Sequence, residues 1–116
     1  MRVEQNLSAL DAFSISQQVT ANNVANINTN GFKASEVRLE TGPEGEGVRV
    51  AQVHQDMSQG PMLHYTDEYG GTVEGSTTEY TTEMVHMIRD ENAYAANVAS
   101  AQAQLDLLGT AIDEMV

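Results

Sequence analysis

The chain has no cysteine and no tryptophan, only two phenylalanines and two prolines, and five basic residues against seventeen acidic ones. Each shortage excludes something. Without cysteine there is no disulfide framework and no thiol chemistry. Aromatics make up 5% of the 116 residues, so the large side chains that supply most burial energy are scarce. Many of the 41% hydrophobic residues are alanines. A core built by one copy alone would be thin, which points to burial shared with other chains. A net charge of −12 repels nucleic acid and anionic lipid surfaces. No apolar run approaches the roughly 20 residues of a membrane-spanning helix. The first residues lack a basic segment followed by an apolar run, so a conventional cleaved signal is not expected.

What is present divides the chain into three: residues 1–33, 34–75 and 76–116. The expected fold is mainly α with a small β-rich middle. A first helix is predicted from about Glu4 to about Ala25. Leu7, Leu10, Ser14, Gln17, Ala21 and Val24 recur at spacings of three and four, and Phe13 widens the upper part of that stripe. Asn30-Gly31 is a turn signal, with Gly31 free to take positive φ. In the middle, Val37 and Leu39 alternate with charged residues, as do Val48 and Val50. Val53 falls out of that phase, which predicts a bulge or a strand end near Ala51. Gln59-Gly60-Pro61 turns the chain, and Met62 to Tyr65 reads as a short strand. The acidic residues Glu36, Glu40, Glu44 and Glu46, then Asp67, Glu68, Glu74 and Glu79, read as solvated surface that would also tolerate a basic partner.

The last third carries the clearest pattern. Ser76 and Glu79 have capping-box spacing, with Thr77 and Thr78 as competing caps. A heptad seam follows: Met84, Met87, Glu91, Tyr94, Val98, Ala101, Leu105, Leu108, Ile112 and Met115. Such a sustained pattern argues for a coiled-coil or bundle contact. Ala93, Ala95, Ala96, Ala99 and Ala103 flank it and allow close helix approach on more than one face.

Catalytic constellations are missing from the pattern. His54, His64 and His86 do not stand at metal-ligand spacing. The neighbours Asp90-Glu91 and Asp113-Glu114 point to different faces of a helix. Asp67-Glu68 with Glu74 matches no calcium loop. Met84 and Met87 lie on the seam and read as core. No cofactor, metal or small-molecule substrate is expected, and the chain does not read as an enzyme.

The segment "ANNVANINTNGFK" places Asn22, Asn23, Asn26, Asn28 and Asn30 within nine positions. Asparagine competes with the backbone for hydrogen bonds. Two roles stay open: the amides cap and stop the first helix, or Asn22, Asn26 and Asn30, lined up at i, i+4, address a neighbouring subunit.

Two longer blocks resemble the bacterial flagellar basal-body rod and hook family. The stretch from Ala21 to Ser35 is similar to a signature in which an N-terminal helix ends in Ala-Asn-Asn-Leu-Ala-Asn and then Gly-Phe-Lys. Here Asn22, Asn23 and Asn26 match, Val24 takes the leucine place, and Gly31, Phe32 and Lys33 match the end. Glu83 to Leu108 resembles the family's C-terminal helix, with Glu83, Met84, Val85, Met87 and Ile88 followed by Tyr94, Ala95, Ala96 and Asn97. Gly47 to Asp56 looks like the central strand of proximal rod subunits, the subclass the chain most resembles. The usual arginine before the tyrosine-containing core is replaced by Asp90, Glu91 and Asn92.

The resemblance implies that the N- and C-terminal helices pack antiparallel as a coiled-coil-like core, with a short β-hairpin region between. It implies that Leu7, Leu10, Phe13 and Val24 meet Met84, Met87, Tyr94, Val98, Leu105, Leu108, Ile112 and Met115. It further implies a structural axial subunit of the rod, polymerising with copies of itself and with neighbouring rod proteins. Such a subunit leaves the cytoplasm through the flagellar type III export apparatus and transmits motor torque. An acidic coiled-coil adaptor or export chaperone, and a distal rod or hook-type relative, are the competing readings.

Overall fold

The computed structural model describes residues 3–64 and 71–115, the side chain of Met115 excepted. The order is α1 (Val3–Ala25), β1 (Ser35–Thr41), a 3₁₀ turn (Pro43–Gly45), β2 (Val48–Gln55), β3 (Met62–His64), β4 (Thr72–Glu74) and α2 (Tyr80–Met115). The two helices pack antiparallel with a small hairpin region between them, as the resemblance implied. The strands form two hairpins rather than one, because β4 pairs with β3 in a stretch that the sequence pattern read as acidic loop. Tyr65, Asp67 and Glu68 lie outside the described residues.

α1 is the central element, with α2 on one side and the β1–β2 hairpin on the other. Val37, Leu39, Val48 and Val50 are buried or half-buried, and Val48 and Val50 share a cleft with Ser8, Ala12 and Ile15 of α1. The hairpin is pinned at both ends. The Val48 N–H donates to Ser8 Oγ (3.2 Å), and the Ser35 N–H donates to Asn23 Oδ1 (3.0 Å). The bulge falls where the broken alternation put it. Leu39 pairs with Val50 and Arg38 with Gln52, which leaves Ala51 unmatched and returns Val53 to the face of Val37. Gly31 takes φ +74 and its N–H donates to the Glu74 carbonyl (2.8 Å), so the turns that follow α1 end there and β4 is drawn in.

The capping box does not form. α2 begins at Tyr80, and Ser76 Oγ instead accepts from the Thr78 N–H (3.0 Å). Ser76, Thr77 and Thr78 are buried where the chain crosses between α1 and β1. Their polar groups bond other segments: the Thr77 N–H donates to the Phe32 carbonyl (3.0 Å), and Thr77 Oγ1 accepts from the Ala34 N–H (2.7 Å). Thr78 Oγ1 donates to the Asn23 carbonyl (3.0 Å). Tertiary bonding claimed these hydroxyls before the local cap could.

The core is small. Its buried hydrophobic residues are Ala9, Ala12, Ala34, Val37 and Ala101. The largest fully buried side chains are polar, Asn23 and Asp90. α2, with 36 residues, outruns α1, with 23. Ser16 faces Asp90 and Asn23 faces Glu83. Continued along the pair, that register brings the start of α1 opposite about residue 103, so the last dozen or so residues of α2, roughly 18 Å of helix, run on past the described part of α1. The molecule is 81 Å long and 24 by 16 Å across. No helix among the described residues is long and apolar enough to cross a membrane.

Candidate assembly interface

The most densely bonded position is Asn23, 1% exposed, in the last turns of α1. Its Nδ2 donates to the Ser35 carbonyl (2.7 Å) and to Glu83 Oε2 (3.1 Å), while Oδ1 accepts from the Ser35 N–H. One amide thus joins α1, the start of β1 and the first turn of α2. The other asparagines behave differently. Asn26 Nδ2 donates to the Asn22 carbonyl (2.8 Å) and its Oδ1 accepts from Thr29 Oγ1 (3.0 Å), which bonds the fraying helix end locally. Asn22 and Asn28 are exposed. The sequence left capping and subunit contact open; Asn23 follows a third course and addresses its own chain.

Below this junction sits a latch. Lys33 Nζ donates to the Ser58 carbonyl (2.7 Å) and forms an ion pair with Glu74, whose Oε1 also accepts from the Gly60 N–H (2.8 Å). The bond from Lys33, then that from Gly60, hold the Glu74 carboxyl below its ordinary range. The Ser58 side chain and N–H do the same to Asp56. Nearby, Glu36, Asp56, Glu79, Glu83 and His86 line one acidic cleft. Its one deeply buried acid, Glu83, is already turned to Asn23.

Between the helices the interface is polar and small. Asn6, Ala9, Ala12, Ser16, Thr20 and Asn23 are the buried residues of α1. From α2, Glu83, Asp90 and Ala101 are buried against them, with Ala93 and Asn97 half-buried. Ser16 Oγ donates to Asp90 Oδ2 (2.5 Å), and Asp90, with no exposure, also pairs with Arg89 Nε (3.3 Å). The expected stripe through Leu7, Leu10 and Val24 lies one residue away from the one observed, about 100° around the helix. The same displacement separates the expected α2 seam from Glu83, Asp90 and Asn97. The intrachain pairing is therefore corrected: the small polar faces meet, and the large apolar side chains lie at their margins or in solvent.

Those large residues remain on the surface of the single chain. Leu7 is 55% exposed, Leu105 53%, Leu108 57% and Ile112 53%. Tyr94 and Val98 are also exposed, while Leu10, Phe13, Val24, Met84 and Met87 are half-buried. Leu107, which the heptad reading left out, is 71% exposed near the end of α2. The side chain of Met115 lies outside the described residues. Of the family motif, Phe32 and Lys33 are half-buried and Gly31 forms the turn. Asn97 Nδ2 donates to the Ala93 carbonyl (2.8 Å) of its own helix.

Two family models match the chain, one at each end. Residues 6–33 match the flagella basal body rod protein model, and residues 69–114 match the C-terminal model of the flagellar basal body rod FlgEFG proteins. The chain belongs to the flagellar rod and hook family. Both matches fall on the elements described above: the first ends at Lys33 of the latch, and the second contains α2 except Met115, with both buried acids. Rod and hook proteins are structural, and the described residues of this chain carry exposed apolar side chains, a second helix that runs on past the described part of the first, and carboxyls engaged in structural bonds. No individual curated protein matches the chain.

Proposed function

We propose that this protein is an axial subunit of the flagellar basal-body rod, polymerising through its two helices as part of the torque-transmitting shaft. One observation carries the proposal: the helices hide small polar faces in each other and leave Leu7 on α1, and Tyr94, Val98, Leu105, Leu108 and Ile112 on α2, exposed. Burying an exposed leucine or isoleucine is worth about 1.5–3 kcal/mol, so these faces favour neighbours. Leu7, Leu10, Phe13 and Val24, with Met84, Met87, Tyr94, Val98, Leu105, Leu108, Ile112 and Met115, are the proposed assembly residues. The partners are further copies and adjoining rod proteins. The proposed route is the flagellar type III export apparatus, and the destination is the basal body.

The test is fractionation. A tagged full-length chain should co-purify with hook–basal bodies and stay with the rod when the hook is removed. Retention in the cytoplasm on one client protein would instead support an acidic adaptor or export chaperone. Within the family, the Ala93-Tyr94-Ala95-Ala96-Asn97 block favours a proximal rod position. The "NTNGFK" block from Asn28 to Lys33 and the FlgEFG-type C-terminal match favour a distal rod or hook-type member. The position of the label along the isolated axis separates these two.

A further inference from the structure

We propose that the buried pairs Ser16–Asp90 and Asn23–Glu83 are a rotation lock: they fix which face of α2 meets α1 and so keep the chain from burying its own apolar seam. This deepens the assembly reading, on which it rests for its purpose but not for its geometry.

Without such a lock the observed pairing is hard to account for. Apolar periodicity on α2 prefers the face through Tyr94 and Val98, yet both are exposed. The remaining contacts at the interface include Ala9, Ala12 and Ala101. Alanine methyls pack against almost any helix face and select no rotation. The polar pairs do select one. Ser16 and Asn23 are seven residues apart on α1, and Glu83 and Asp90 are seven apart on α2, so both pairs lie on one face of each helix. Turn α2 by one residue toward that seam, about 100°, and Met84 replaces Glu83 opposite Asn23, leaving the amide without a carboxylate acceptor, while Glu91 replaces Asp90 opposite Ser16; the Asn23–Glu83 pair is the one that resists the turn. Buried polar groups that fix register or partner choice work in this way. Here they fix rotation, and the seam stays outward for others to cover.

The chain contains no cysteine, so reporters can be added to a clean background. Ala12→Cys with Ala93→Cys, each a helical turn from the Ser16–Asp90 bond, reports the locked face by forming an intrachain disulfide. A separate Val98→Cys reports the seam by its rate of thiol labelling. Each reporter is combined in the full chain with Glu83→Gln, which keeps an acceptor for the Asn23 amide, or Glu83→Met, which removes it. Expected is that Glu83→Gln leaves both readouts unchanged. In Glu83→Met the ratio of locked to rotated chains should fall about tenfold, the size of one lost buried hydrogen bond, read as a lower disulfide yield and slower Val98→Cys labelling. Slower labelling is the decisive sign, because unfolding would speed it. Equal behaviour of the two variants overturns the lock. So does loss of the disulfide with labelling undiminished, which means fraying rather than rotation. The readouts are taken on single chains in dilute solution. Failure to find the protein in basal bodies would therefore leave the lock standing, and failure of the lock would leave the family role untouched.

Discussion

Replacing Asn23 by alanine tests the junction at its centre. The side chain is 1% exposed and makes three bonds, two to the Ser35 backbone and one to Glu83. Neutral bonds contribute about 1 kcal/mol each and one to a charged group about 2, a loss of about 4 kcal/mol. Alanine's better helix propensity returns about 0.5 kcal/mol. The expected loss is therefore about 3–4 kcal/mol, large for one substitution. Asn22→Ala is the control. Asn22 is exposed, and Asn26 reaches both its carbonyl and its Oδ1, the latter at a longer 3.3 Å. Alanine keeps the carbonyl, so a change within about 0.5 kcal/mol is expected. Urea unfolding followed by circular dichroism gives both values, and hydrogen exchange at the Ser35 N–H localises the effect to the start of β1. A loss under about 1 kcal/mol, or equal losses at the two positions, would refute the reasoning.

Two further outcomes follow from the geometry. Leu105 is 53% exposed, so Leu105→Asp should change the stability of the isolated chain by no more than about 0.5 kcal/mol while blocking incorporation into the rod; normal motility in a strain carrying it would contradict the packing claim. The Glu74 carboxyl is held below its ordinary range by Lys33 and Gly60 in the folded chain, so its stabilisation is complete above the ordinary value and is lost as pH falls through the folded one. Proteolysis of the 56–61 loop should then accelerate below about pH 4 in the parent and much less so in Glu74→Gln; parallel profiles would remove the latch from the account.

The sequence made the elements legible better than their faces. Both long helices, the Gly31 turn and the irregularity at Ala51 could be read locally, because each rests on periodicity or on one residue's backbone freedom. The rotation of the helices could not. Counting large apolar residues selects the stripe through Leu7 and Leu10, whereas the observed stripe is set by bonds between residues 74 and 60 positions apart. Nothing local distinguishes Asn23 from Asn22, or Asp90 from Glu91. Only the partner across the interface does so. Ser76 misled for the same reason: its capping spacing is real, but its segment is buried at a crossing that no local rule anticipates.

The two pins of the hairpin have a consequence for chain length. From Ser8 to Asn23 the helix advances about 22 Å, and from Ser35 to Thr41 the strand advances about 20 Å. A strand residue covers more than twice the distance of a helix residue, so the two spans agree only at particular combinations of residue numbers. One residue added to β1 overshoots Ser8, and one removed from α1 also turns every later side chain to a new face. Neither span can change by itself. Length variation is therefore expected in the turn after Thr41 and between β3 and β4, outside the pinned stretch.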